Sequence, residues 1–521
     1  MPETSTAAKT SGDGVSLLWT QDLLNAAGPA QDAKTALIYQ GREISYGDLG
    51  AEVLRLACNL KQNLPPSALL AIWLPNCPEL LALCLACLKC GVIPMPLHHG
   101  MKWPEVRAIL DHSRAACLVG SRTSLDPHGA EIFDLGLKEI CVINNDPASE
   151  PFRACSELAL RQKEEPLQQT FLSSESLALV LHTSGSSGHA KGVMLSHGSL
   201  DHILKFRLTH THLTADSLSI VASCLTQSVG FYQSLALLAA GGTIILLESY
   251  KTDLLADSIN RHHPTHLIMV VEAFDRLLHD PSITAESFQN LSFASTGADR
   301  VTARVQNLFI ALTGRTLSVS YGLTESSWAL VNFSNRVDKS LALGQPCPGI
   351  QVKLVDTDGH EVAEGEIGEI CIKGPRNLLG YLHDKEMTRV AFHDGWLLSG
   401  DLAYRDSDGY CWFAGRKKHL IVLASGDNVS PLEVENAILR HPSVSNCAVL
   451  GVATPQGSEV PWAVVVRSDQ TLSEAPLAAF LRQRISDYKV PQRIVFVTDL
   501  PVGVTGKIQR EELRKIFDLL T

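Results

Sequence analysis

The stretch His182-Thr183-Ser184-Gly185-Ser186-Ser187-Gly188-His189-Ala190-Lys191-Gly192 gathers hydroxyls, glycines and one lysine into a single short loop. Glycines let a backbone turn its N–H groups inward and approach an anion closely. Hydroxyls add donors and Lys191 adds a positive charge, so the loop suits a polyphosphate. It is not a Walker loop, because the G-x-x-x-x-G-K-[ST] spacing is absent. A second cluster is Tyr321-Gly322-Leu323-Thr324-Glu325. Its ring can stack on adenine, its glycine admits a flat substrate, its hydroxyl can bond a phosphate, and Glu325 can hold Mg²⁺. Alone, the same five residues would also serve as a strand-to-helix turn with a capping Thr. Ser399-Gly400-Asp401 and Gly506-Lys507 say less by themselves, since an Asp after Gly is usually a turn residue.

Taken in order, these blocks resemble the adenylate-forming enzymes: acyl- and aryl-CoA synthetases, peptide-synthetase adenylation domains and luciferases. The phosphate loop reads T-S-G-S-S-G-x-x-K-G, and Y-G-x-T-E follows at the family's distance. Gly395-Trp396, Ser399-Gly400-Asp401, Asp408-Gly409-Tyr410 and Gly415-Arg416-Lys417-Lys418 form the next block. Leu500-Pro501 and Gly506-Lys507-Ile508-Gln509-Arg510 form the last. The resemblance runs from about Thr35 to Leu513.

It implies roles residue by residue. Thr183, Ser184, Gly185, Ser186, Ser187, Gly188 and Lys191 would hold ATP phosphates, with Thr183 and Lys191 also serving catalysis. Gly297, Ala298, Asp299, Tyr321, Gly322 and Thr324 would frame the nucleotide. Asp401 would accept from both ribose hydroxyls, which a carboxylate does well, and Arg416 would be the second ribose contact. Glu325 would be the metal ligand. Lys507 would enter the site for adenylation, Lys418 would be the hinge of a small domain, and Gly426 would face the thiol tunnel. Gln227, Ser228, Thr296, Gly297 and Gly322 would line the acid pocket.

The chain departs from the pattern in places. Ala190 stands where Pro is usual in the phosphate loop, and His182 replaces an aromatic. His419 follows the hinge where Asp is common. Cys224 and Gln227 occupy positions that carry Pro and a gating His in many acyl-CoA synthetases. Gln227 either meets a substrate with hydrogen-bonding groups or satisfies local backbone. Gly230-Phe231-Tyr232 carries no Asp to bind the ammonium of an α-amino acid.

The elements that must position these residues alternate between apolar strands and amphipathic helices, which implies α/β layers with largely parallel sheets. Strands are expected at Ala68–Leu74, Leu177–His182, Leu218–Ala222, Thr243–Leu247 and Leu267–Val271. Helices are expected at Glu79–Cys90, Phe231–Ala240 and Ala273–His279. Short strands with Asp-Gly turns mark a β-rich subdomain at about 345–417. Residues 15–417 would form the large domain, and 418–521 a small mobile α+β domain. Residues 1–14 read as a disordered tail without a signal core.

A chain of 521 residues exceeds one compact core. Its net charge of −11 gives no support for nucleic-acid binding. No apolar run reaches the roughly 20 residues of a membrane helix, so a cytoplasmic enzyme is expected. Cys84, Cys87 and Cys90 imitate an iron–sulfur ligand run. They lie in an apolar helix, however, where Cys acts as a small hydrophobe.

The expected reaction is ATP-dependent and Mg²⁺-dependent. A carboxylic acid becomes an acyl-adenylate with release of pyrophosphate, and the acyl group passes to a pantetheine thiol, either CoA or the phosphopantetheine of a separate carrier protein. Few residues follow Lys507, so the acceptor is expected to be a separate molecule. Alternatives are a free-standing enzyme that loads an acyl, aryl or non-standard amino acid onto a carrier, a catalytically silent homologue, and a luciferase-like oxygenase.

Overall fold

A computed structural model describes residues 32–137, 139–143, 172–183, 190–425, 428–454, 459–501 and 508–518. The N-terminal tail, Ser184, Gly185, Ser186, Ser187, Gly188, Gly426 and Lys507 lie outside them. The chain divides into two units. One comprises residues up to Ser340 with Cys347–Ile350 and Lys373–Gly395. The other comprises Leu341–Pro346, Gln351–Ile372 and Trp396–Thr521.

In the first unit, eight strands lie side by side. Their order is Ser327–Asn332, Ser318–Leu323, Phe293–Gly297, His266–Val270, Leu218–Val221, Thr243–Leu246, Thr35–Tyr39 and Arg42–Ser45. The inner pairs are parallel and the two outermost pairs are antiparallel. Parallel strands need crossover helices that cover their faces. Val271–Leu278, Ala303–Thr313 and Thr252–His262 do this through a core around Phe274, Phe309, Leu277 and Ile259.

A second sheet, Ile93–Pro96, Leu69–Trp73, Cys117–Ser121 and Glu139–Ile143, is parallel throughout. The helix Pro78–Cys90 buries nearly every side chain, Cys84, Cys87 and Cys90 among them. Burial pushes the Cys90 thiol up to about 11, so these sulfurs stay protonated and pack as apolar atoms. A third, antiparallel sheet joins Gly380–Tyr381, Lys191–Ser196 and Leu177–Thr183.

The second unit carries the short β-rich strands Gln351–Val355, Gly368–Lys373, Trp396–Arg405 and Cys411–Arg416. It also carries a three-stranded sheet of Val444–Ala453, Glu459–Arg467 and Arg493–Val497. Helices Pro431–Ile438 and Glu474–Arg482 close over that sheet through Val434, Ile438, Val465, Leu477 and Leu481. Among the described residues, no helix is long and apolar enough to cross a membrane.

Candidate active site

The residues on either side of the phosphate loop belong to paired strands. Thr183 pairs with Lys191 across the antiparallel strands Leu177–Thr183 and Lys191–Ser196, and these two residues hold the ends of the loop. The third strand of the sheet brings in Tyr381, which pairs with Val193. The Lys191 ammonium lies 5.5 Å from the centre of the Tyr381 ring. The Tyr381 hydroxyl in turn donates to Glu325 Oε1 at 3.0 Å. Burial and the Glu325 carboxylate both push the Tyr381 phenol up, so it stays a donor. The loop lysine, a tyrosine and the candidate metal carboxylate thus form one chain of contacts.

Glu325 is fixed a second way. Its carbonyl accepts from the Leu378 amide at 2.7 Å. Its side chain is half-buried, and Oε2 has no hydrogen-bond partner among the described residues. One carboxylate with a free oxygen fits Mg²⁺, which usually binds one or two protein carboxylates plus substrate phosphates.

Tyr321 is buried near the end of Ser318–Leu323. The ladder to Ser327–Asn332 slips between Tyr321 and Gly322. A Cβ on Gly322 would stand 1.9 Å from the Ser327 carbonyl oxygen, so only glycine fits this bulge. Gly297 meets the same limit 2.1 Å from the Ser320 carbonyl. Ala298 then adopts a left-handed φ of 67° and carries the chain out to the exposed Asp299. Asp299 accepts from the Arg300 amide at 2.7 Å. Thr324 is half-buried in the turn before Glu325.

The proposed acid-pocket residues differ in how they are used. Thr296 is fully buried and its hydroxyl donates to the Met269 carbonyl at 3.0 Å. Gln227 caps the helix Ser228–Ala240 through its backbone, its amide N–H donates to the Cys224 carbonyl at 3.0 Å, and its side chain makes no capping hydrogen bond. Ser228 is likewise half-buried. The Cys224 thiol shares a hydrogen bond with Thr226 at 3.0 Å, and burial raises its pKa.

In the second unit, Asp401 and Arg416 are direct partners across Trp396–Arg405 and Cys411–Arg416. Arg416 Nε stands 3.0 Å from Asp401 Oδ1, with Asp401 buried and Arg416 exposed. Gly400 donates to Glu369 at 3.0 Å, and Lys417 pairs with the other Glu369 oxygen at 2.8 Å. Lys418 is exposed in the short helical turn Lys417–His419. Burial and the cations Arg510, Lys418, Arg416 and Arg514 hold the neighbouring His419 neutral, with a pKa pushed down to about 3. The Gln509 amide donates to the Pro501 carbonyl at 2.8 Å, bracketing the segment that contains Lys507.

Sequence reasoning gave no role to Tyr381, Arg207 or Arg376. Arg207 was readable in one respect. It continues the stripe Leu200, Ile203, Leu204 on His197–His210, where an apolar residue is expected.

Residues 25–382 match the family model for the AMP-binding enzyme, and residues 433–507 match the AMP-binding enzyme C-terminal domain. The chain belongs to the AMP-binding enzymes. Within this family it is 28% identical over 492 residues to an indoleacetate–CoA ligase of Aromatoleum aromaticum, covering 93% of this chain and 96% of that one. It is 30% identical over 488 residues to a feruloyl-CoA synthase of an Amycolatopsis species, with the same coverage. The ATP-bound structure of MatB from Rhodopseudomonas palustris superposes with a TM-score of 0.88 at 28% identity, covering 96% of this chain and 99% of that one. The motif order read from the sequence and the α/β architecture agree with this family.

Proposed function

We propose that this AMP-binding enzyme is an ATP-dependent acid–CoA ligase that works in two half-reactions at one site. In the first, a substrate carboxylate oxygen attacks the α-phosphorus of ATP. The bond to the β-phosphate oxygen breaks, and pyrophosphate leaves with that electron pair. In the second, the CoA thiol gives up its proton and attacks the acyl carbon, and AMP leaves as the thioester forms. Such chemistry is largely positioning and charge neutralisation.

The observation that carries this reading is the Lys191–Tyr381–Glu325 chain, which couples the lysine that follows the phosphate loop to the carboxylate of the Y-G-L-T-E turn. Glu325 would hold Mg²⁺, which supplies charge neutralisation on the phosphates. Thr183 and Lys191 would orient the loop on those phosphates. Asp401 with Arg416 would take the ribose, and Tyr321 the adenine. Lys507 would reach the α-phosphate and the acid, and Lys418 would be the hinge about which residues 418–521 turn between half-reactions. The acid is an aliphatic, aromatic or related carboxylic acid that meets Gln227 and Ser228.

Lys507→Ala tests the division of labour. Adenylation is expected to fall by about three orders of magnitude, while thioester formation from preformed acyl-adenylate is spared. Equal loss of both half-reactions would contradict the role given to Lys507. Lys418→Pro is expected to show the reverse pattern, because proline fixes φ at the hinge.

A further inference from the structure

Two arginines are sealed inside the first unit with no carboxylate to meet them among the described residues. Arg207 and Arg376 are each 2% exposed, and neither pairs with an acidic side chain among the described residues. Arg207 donates to Gln233 Oε1 at 3.2 Å, and its guanidinium lies 4.1 Å from the Trp328 ring centre and 5.8 Å from that of Tyr232. Arg376 lies 4.6 Å from the Phe206 ring centre and contacts the Cys347 thiol. Phe206 packs edge-on against Trp328, with centroids 6.3 Å apart, so the two cations share one aromatic wall.

The polar atoms left over all lack an acceptor. Arg207 Nε, both Arg376 Nη atoms and the Tyr232 hydroxyl are buried without a hydrogen-bond partner among the described residues. Arginine cannot shed its proton to escape burial. Aromatic faces offset part of the cost, but a buried, unmatched cation remains strongly unfavourable. The ionisable groups facing Arg207 are Tyr232, Arg376 and Cys347, with no carboxylate among them. Two like charges and a spare phenolic donor, enclosed together, make a site for an anion.

The elements involved locate it. Tyr232 and Gln233 stand on Ser228–Ala240, the helix that opens with the proposed acid-pocket residues Gln227 and Ser228. Trp328 follows Glu325 by three residues, and Tyr232 lies within electrostatic reach of Glu325. Arg376 precedes Leu378, whose amide holds the Glu325 carbonyl at 2.7 Å. The nitrogens are closed to bulk solvent.

We propose that Arg207, Arg376 and Tyr232 bind a second anionic group, a carboxylate or sulfonate, at the far end of the carboxylic acid substrate. The proposal rests on the ligase reading and narrows its substrate to acids with two anionic groups. Removing one partner of such a buried pair typically costs roughly 30-fold or more in affinity.

The test is calorimetric binding of dicarboxylic acids from succinic to sebacic, and of terephthalic acid, each beside its monomethyl ester, with inorganic sulfate as a further arm. At least one diacid is expected to bind about 30-fold tighter than its ester. Arg207→Met is expected to erase that preference, and Arg207→Lys to keep part of it. Esters that match or exceed their diacids throughout would overturn the proposal, as would a preference that survives in Arg207→Met. Sulfate binding that depends on Arg207 while no diacid binds would mark an inorganic anion site and overturn it too. Pyrophosphate release is followed in parallel. Release with esters but not diacids keeps the ligase reading and removes this one, whereas tight diacid binding without release does the opposite.

Discussion

The Glu325 corner and the Arg207–Arg376 cluster lie in the same unit, yet charge is treated in opposite ways in the two. At the corner, one carboxylate is half-exposed, held by Tyr381 on one oxygen and open on the other. In the cluster, two guanidinium groups are shut away behind Trp328, Phe206 and Tyr232 with donors unused. The first arrangement is cheap to maintain without ligand, because water solvates the open oxygen. The second is costly in the free protein, and only an arriving anion relieves it. A partly solvated charge can serve a transient metal, while a sealed one can discriminate among substrates.

Substitutions at the two places should therefore fail differently. Glu325→Gln keeps the shape and the Tyr381 contact but removes the negative charge. Pyrophosphate release is expected to drop by about 3–4 kcal/mol in transition-state terms, a few hundredfold or more, with a raised Mg²⁺ requirement and an unchanged unfolding midpoint. A drop in stability with Mg²⁺ dependence unaltered would make Glu325 a structural residue.

The helix that carries Arg207 begins with a buried histidine, and that contrast sharpens the point. Burial holds His197 neutral, with its pKa pushed down to about 4. The unfolded chain then binds more protons than the folded one between about pH 6.5 and pH 4. Stability is full above this window and is lost as pH falls through it, with His197 contributing roughly 3 kcal/mol. Urea unfolding across that range measures it, and His197→Gln should flatten the slope. Arg207 has no such exit.

Arg376→Met follows from the same argument with the opposite sign. Replacing an unmatched buried cation by an apolar side chain of similar length is expected to raise unfolding free energy by about 1–3 kcal/mol. A loss of stability instead would show that the aromatic wall and Cys347 already satisfy the guanidinium. The smallest effect belongs to Tyr381→Phe. Loss of one hydrogen bond to a partly solvated carboxylate is expected to slow adenylation by about tenfold, read by pyrophosphate release, with the Mg²⁺ dependence shifted the same way as in Glu325→Gln.

The corner is legible in the amino-acid sequence because its residue types are scarce in combination. Hydroxyls, glycines and lysine in one loop, and Tyr-Gly-x-Thr-Glu in another, name a chemistry that ordinary turns do not need. The alternating apolar runs also marked the strands, since those buried on both faces are nearly continuous in Leu, Ile and Val. The hairpin closure of Thr183 on Lys191 was not legible, because antiparallel register depends on partners remote in sequence. Nor was the arginine cluster. Arg207, Tyr232, Trp328 and Arg376 come from four separate segments, and a single arginine on an apolar stripe reads as an exception until its neighbours are known. The contact of Tyr381 with Glu325 likewise requires the third strand of the small sheet.

Two-step ligation is tested most directly by a product balance. The full chain is incubated with ATP, Mg²⁺ and a panel of aliphatic, aromatic and dicarboxylic acids, with and without CoA, and the phosphorus products are resolved by NMR. The expected result is acid-dependent formation of AMP and pyrophosphate in equal amounts, accelerated by CoA and matched by thioester. ADP with inorganic phosphate, or AMP formed at the same rate without acid, would contradict it.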